Sequence, residues 1–564
     1  MTYMDHAAAL QRHLLIAPFQ EELATLGLIA DQDLWGSIIE HAARYAESEL
    51  DALGQALDRD GARLVDGKVR TSVAHHEAWA SFKDLAWVSL VAPEPYGSQQ
   101  PQSVLIACEE LFNRASPSFY MLPTSTRSGA SLLLQCASPD LRDRWVPKLL
   151  AGDWTATICI SEPDAGSDVG RIRTKAVHDG NGWLVSGEKC WISFGDHDLS
   201  ERIGHLMLAR SSEGVGTRGL SLFLVPSTTE DGTANGVSVA RIEEKLGLHG
   251  SPTCVMNFSN ARAELLGAEG RGLQQMFHMM LEMRLSCGPQ GTGLASAAFE
   301  IARSYAQERR QGGHPNSPPM KIVEHADVQR QLLSMAAMLE VSRGTNFAAA
   351  QILELATRET GEKAREHWQA LAQFLLPIVK DGAAWAAFDV SSRAVQVLGG
   401  AGYTQEWPVE RMLRDARVFP IFEGTSGIQA LDLIHRRVWR DRRAGIEAFL
   451  NIARDEATTN PVGKGLLDTL ARLDETSQFL AGLEDRPRDA EAGASAFLDL
   501  CKAAVHGWIA ARIMRLSGSD PVAKRMQSAA NFYLAEMPAR AAMFAALAQT
   551  GEQALKGIGS FLSD

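Results

Sequence analysis

The order of hydrophobic periodicities constrains this chain most. Apolar residues recur at helical spacing from Asp33 to Leu57 and from Gln102 to Ala115, separated by a loop containing Pro93, Pro95 and Gly97. From about Trp154 to Phe258 the pattern turns strand-like, with runs at 205–209 and 220–225 and a Gly180-Asn181-Gly182 hairpin turn. Alanine- and leucine-rich helical pattern returns at Gly272 and persists to the end. Asp58 to Val69 reads as a polar, hairpin-like excursion. A chain of 564 residues in this order predicts an α+β protein, mostly α, with several domains.

Composition narrows the partners. The net charge of −13 argues against a nucleic-acid or anionic membrane surface as main partner. Seven cysteines, without a C-x-x-C pair or His-rich spacing, read as reduced thiols with no metal site. Reduced thiols predict a cytoplasmic protein, and the apolar stretch Leu14 to Phe19 lacks the basic flank and the length of a signal peptide or span.

Chemistry concentrates in three places. Val395 to Asp432 opens on Gly399-Gly400, passes Arg411, Arg414, Asp415 and Arg417, and reaches Glu423 between Phe422 and Gly424. Thr425-Ser426 and the apolar pattern Ile428, Leu431, Leu433, Ile434 read as a capped helix start. Glu423 is then either a first-turn carboxylate complementing the helix dipole or a desolvated acid poised as a base. Ile158 to Lys175, followed by Gly187 to Ser193, offers small hydroxyl residues and Trp191 beside strand pattern. Gly272 to Arg284 carries Met276, Met279, Met280 and Met283, either helix core or the lining of a malleable tunnel.

Taken together, these blocks resemble the acyl-CoA dehydrogenase family, a resemblance that ends near Arg437. The resemblance implies that family's fold: an N-terminal α-helical domain (1–152), a central β-domain (153–268), a C-terminal helical bundle (269–437), and here an appended α-helical domain (438–564). It implies FAD-dependent α,β-dehydrogenation of an acyl-CoA thioester to a trans-2-enoyl-CoA, with Glu423 removing the α-proton. FAD contacts fall on Ile158, Ile160, Ser161, Gly166, Ser167, Trp191, Ile192, Ser193 and Thr425. Arg309, Gln396, Gly399 and Gly400 match positions that reach a neighbouring subunit's cofactor, which implies a homodimer or tetramer. Gln396 is read there as part of a loop. Ser167, Arg284 and Gly424 match substrate contacts. Electron-transfer flavoprotein is the implied electron acceptor.

Departures from the family pattern also inform. Leu281 stands where many members carry aspartate, and Ala326 and Gly427 replace residues with amide or acid side chains. Some members place the base immediately before the substrate-helix arginine; here that position is Met283, and Glu282 is one residue out of register, about 100° around a helix. Segments 195–199, 245–256 and 427–433 resemble a long-form branch of that family that includes an enzyme acting on 3-methylmercaptopropionyl-CoA, which leaves that thioester or a fatty acyl-CoA as substrate. After Arg437, helical pattern recurs at 445–453, 465–480, 496–516 and 529–548, with 484–488 read as a loop. The near balance of charge in this extension favours a packing or dimer-stabilising role over DNA binding of the alkylation-response kind. Oxygen in place of an electron-transfer partner, and acyl carrier protein in place of CoA, remain alternatives.

Overall fold

The computed structural model describes residues 2–28, 31–459, 463–518 and 520–563. Strands β1 (Arg63–Val65) and β2 (Lys68–Arg70) lie in and just past the polar excursion, and β3 (Trp154–Cys159), β4 (Lys175–His178), β5 (Trp183–Ser193), β6 (Arg202–Arg210), β7 (Leu220–Pro226), β8 (Val237–Ile242) and β9 (Thr253–Leu266) begin within the strand-like stretch. The chain divides into two compact units, one comprising Tyr45–Gln100 and Ala115–Ser286, the other Met1–Arg44, Pro101–Arg114 and Cys287–Asp564.

The first unit holds all the strands. β1 and β2 form a hairpin through Asp66 and Gly67, both at positive φ. The excursion is shorter than its polar sequence predicts. Residues 58–60 finish the helix Leu53–Asp60, which stops at Gly61 with φ +60, a conformation that glycine adopts without penalty. In the larger sheet the pairings β6–β7, β7–β9, β9–β5, β5–β4 and β4–β6 close a ring, with β3 parallel to β6 and β8 antiparallel to β9. Alternate residues of these strands fill its core, among them Val185, Ile192, Met207, Phe223, Met256 and Phe258. The helix Pro117–Cys136 packs on β3 and β6 at Gly129, where a Cβ would lie 2.6 Å from that of Ala156.

Burial in this unit keeps three imidazoles neutral. It pushes His75, His197 and His205 down to about 3, and His205 uses Nδ1 on Thr157 Oγ1 at 2.9 Å. The unfolded chain, with histidines near about 6.5, takes up protons first as pH falls. Stability should therefore decline progressively from about pH 6.5 toward pH 3, seen as a lower thermal midpoint at pH 5 than at pH 7.

The second unit is helical. The helix Gly272–Glu308 contributes its part from Cys287 onward, beside Ala326–Arg358 and Glu362–Leu398, with close approaches at Gly288 to Asn346 and at Gly291 to the Ala383 carbonyl. The N-terminal helix Tyr3–Ile16 brings His6 to Glu110 (2.8 Å) in a buried cluster with Arg343 and Ser296. Burial alone would raise the Glu110 carboxyl, but the Arg343 guanidinium holds it far below its usual range. The helices after Arg437 belong to this same unit. Lys502 pairs with Asp381 at 2.7 Å, and Trp508 packs edge-on against Phe449. Within 484–488, Pro487 and Arg488 form the first turn of the helix Pro487–Ala492, where proline's missing N–H costs nothing. Among the described residues no helix is long and apolar enough to cross a membrane.

Candidate active site

The Glu423 turn is built by its neighbours in the helical unit. Phe422 stacks on Phe419 with centroids 5.6 Å apart, and the Ser426 N–H donates to the Pro420 carbonyl. Thr425 caps the helix Ser426–Asp432, its hydroxyl accepting from the Ile428 N–H at 3.3 Å. Trp385 Nε1 donates to Ser426 Oγ at 2.9 Å, and the buried Gln429 donates to the carbonyls of Glu423 and Gly424. Glu423 is half-buried, lies two residues before the cap, and has φ +54. The first-turn reading therefore does not hold, because the chain has not yet entered the helix. A non-glycine residue in the left-handed region is a stored cost that a site sustains for a reason.

Arg411 and Asp415 pair with each other in the helix Val409–Ala416 at 3.3 Å, both buried, and Arg414 pairs with Glu410. These charges brace the segment that leads to the turn. Gln396 is the exposed last-turn residue of the helix Glu362–Leu398, contrary to its expected place in a loop. Gly399 follows at φ +62, and a Cβ on either Gly399 or Gly400 would meet nothing within 4 Å. Arg309, just past the helix ending at Glu308, is exposed.

In the β unit, β5 is bulged between Lys189 and Ile192, and Trp191 sits in the bulge at φ +63 with 63 % of its surface exposed. The Cys190 N–H donates to the Ser161 carbonyl at 3.0 Å, tying the end of β3 to the bulge. Beneath them Lys189, fully buried, donates to Glu162 Oε1 (2.8 Å) and to the carbonyls of Leu208 (2.8 Å) and Ile160 (3.1 Å). Glu162 also accepts from the N–H groups of Arg173 and Thr174, closing the loop that carries Gly166 and Ser167. Burial would raise the Glu162 carboxyl, but Lys189 and these donors bring it below its ordinary value. Ile158, Ser161 and Ser193 are half-buried, while Ser167 and Gly166 are exposed.

On the helix starting at Gly272, Arg284 is buried, with no hydrogen-bond partner for Nε among the described residues. Glu282 accepts from Ser131, and Ser286 accepts from Arg127. Met276 and Met279 are core residues, whereas Met280 and Met283 are half-buried. Sequence reasoning missed Lys189, Glu162 and Gln429. Only Lys189 carries a signal: its charge sits in the inward alternation of Val185, Gly187 and Lys189.

These residues fit a flavin. An exposed indole on a strained bulge, neighbouring hydroxyls and an open glycine offer a planar face and hydrogen-bond partners. The chain belongs to the acyl-CoA dehydrogenase family, matching its N-terminal domain over 37–153, its middle domain over 157–261 and its C-terminal domain over 270–439. The protein is thus a flavin-dependent oxidoreductase. It is 37% identical over 518 residues to 3-methylmercaptopropionyl-CoA dehydrogenase of Ruegeria pomeroyi, covering 88% of this chain and 87% of that one. In fold it is similar to Caenorhabditis elegans ACDH-11 in complex with C11-CoA (TM-score 0.77, 21% identity, 90% and 89% covered). It is likewise similar to an acyl-CoA dehydrogenase complexed with FAD from Bacillus anthracis (TM-score 0.74, 19% identity, 94% and 92% covered).

Proposed function

We propose that the protein converts an acyl-CoA to its trans-2-enoyl-CoA with Glu423 as the base, and that 3-methylmercaptopropionyl-CoA or a fatty acyl-CoA of similar size is the substrate. The observation that carries this is the half-buried Glu423 held at positive φ in an anchored turn. Its carboxylate removes the α-proton, and the Glu423 backbone N–H polarises the thioester carbonyl to make that proton more acidic. When bound, FAD would supply the acceptor for the hydride of the β-carbon. Trp191, Ile192 and Ser193 with Ile158, Ile160 and Ser161 would hold it, Gly166, Ser167 and Thr425 would supply further contacts, and Ser167, Arg284 and Gly424 would receive the thioester.

Arg309, Gln396, Gly399 and Gly400 serve the cofactor of a second copy in a homodimer or tetramer; their shared exposure supports this. Electron-transfer flavoprotein reoxidises the enzyme in the cytoplasm.

The test is anaerobic bleaching of the flavin band near about 450 nm by a panel running from butyryl-CoA to 3-methylmercaptopropionyl-CoA and longer fatty acyl-CoAs. At least one member should bleach the flavin within a turnover. A flavin that no CoA thioester reduces would reject the assignment and favour another acyl carrier.

A further inference from the structure

The peptide after Glu423 is the least regular backbone around the acid. Glu423 lies at φ +54 and Gly424 at φ +90, so neither helix nor strand pairing fixes them. One buried side chain does so. Gln429 is 0 % exposed, and its Nε2 donates at 3.1 Å to the Glu423 carbonyl and at 3.1 Å to the Gly424 carbonyl. Its Oε1 has no hydrogen-bond partner among the described residues. The amide orientation is nonetheless determined, because a flipped amide would set its oxygen against two carbonyl oxygens. Gly424 admits this approach, since a Cβ there would fall 2.8 Å from Gln429 Nε2.

In a trans peptide the C=O and N–H point in opposite directions. Anchoring the Glu423 carbonyl therefore fixes the direction of the Gly424 N–H and the ψ of Glu423. Anchoring the Gly424 carbonyl does the same for the next peptide. With ψ fixed and φ in the left-handed well at +54, the Cα–Cβ vector of Glu423 has one direction.

We infer that Gln429 is a positioning residue for the base: by donating one amide to two successive carbonyls, it holds the Glu423 carboxylate where it reaches the α-proton. The inference rests on the reading of Glu423 as the base. It separates from a purely structural role because misplacing a base slows proton abstraction without weakening substrate binding.

The experiment uses FAD-loaded wild type, Gln429→Leu and Gln429→Glu, with the panel acyl-CoA that bleaches wild type fastest and its α,α-dideuterated form. Leucine fills similar volume but donates nothing. In that variant kcat should fall about 10- to 100-fold, with KM changing less than about threefold and the α-deuterium isotope effect rising. A neutral glutamic acid can donate one bond, whereas its anion repels both carbonyls. Relative to wild type, kcat of Gln429→Glu should thus drop as pH rises. Wild-type kcat and isotope effect in Gln429→Leu would overturn the inference, as would a loss confined to FAD content. Should Gln429→Leu fail to fold, a pH-independent ratio between Gln429→Glu and wild type would overturn it. Absence of bleaching in wild type would instead remove the reaction reading, and the inference with it.

Discussion

Glu423→Gln is expected to retain FAD, its visible spectrum and the thermal midpoint of the wild type, yet to lose flavin reduction by acyl-CoA by roughly 10⁴-fold. The amide has nearly the shape of the acid, so the stack of Phe422 on Phe419, the Thr425 cap and the Gln429 anchor have no reason to change. What disappears is the only group in the turn that accepts a proton. The loss belongs in kcat, because the amide keeps the shape of the acid and removes only its proton-accepting capacity. Anaerobic stopped-flow bleaching measures it directly. Reduction at the wild-type rate would sink the assignment. The alternative position on the Gly272–Glu308 helix is poorly suited to supply a base: Met283 stands immediately before Arg284, and the Glu282 carboxylate is already accepting from Ser131.

Much of the scaffold around this turn is legible from residue type alone. The helix Gln102–Ala115 begins and ends where its apolar spacing does, and Gly180-Asn181-Gly182 joins β4 to β5 because those residues tolerate the turn. The element order, helices then strands then helices, follows from the change in hydrophobic period. Less legible is what depends on contacts distant in sequence. Thr425 and Ser426 signal a helix start correctly, but nothing local says that Glu423 lies outside it in the left-handed region. That follows from Gln429 reaching back to its carbonyl. Gln396 looks like a loop residue beside two glycines, yet the preceding apolar pattern carries the helix through it. The family resemblance names Trp191 but not the charge beneath it, because Lys189 acts through partners distant in sequence, Glu162 lying 27 residues away.

That hidden charge carries the second large effect. Lys189 is fully buried and Glu162 is 7 % exposed, and each satisfies the other in addition to backbone groups on both sides. Lys189→Met should cost about 3–5 kcal/mol, since it leaves a buried carboxylate facing a methyl group. Glu162→Gln with Lys189→Met removes both charges and should recover most of that loss, because a buried pair replaced by neutral groups of similar volume is often close to neutral. The pH dependence has a defined sign. Glu162 titrates lower in the folded protein than in the unfolded chain, so its contribution is complete above the ordinary glutamate value of about 4.3 and is lost as pH falls through the folded value. Denaturant midpoints of the wild type and the double variant should therefore converge as the medium is acidified below about pH 4. On the proposed reading of Trp191 as a flavin contact, the single variant reports there as well. The bulge holding Trp191 at positive φ is tied down by Ser161 and by the ammonium under Ile160, so Lys189→Met should release FAD on dilution at concentrations where wild type keeps it. A Lys189→Met protein as stable as wild type, with FAD bound as tightly, would show that the pair neither supports the unit nor sets the bulge.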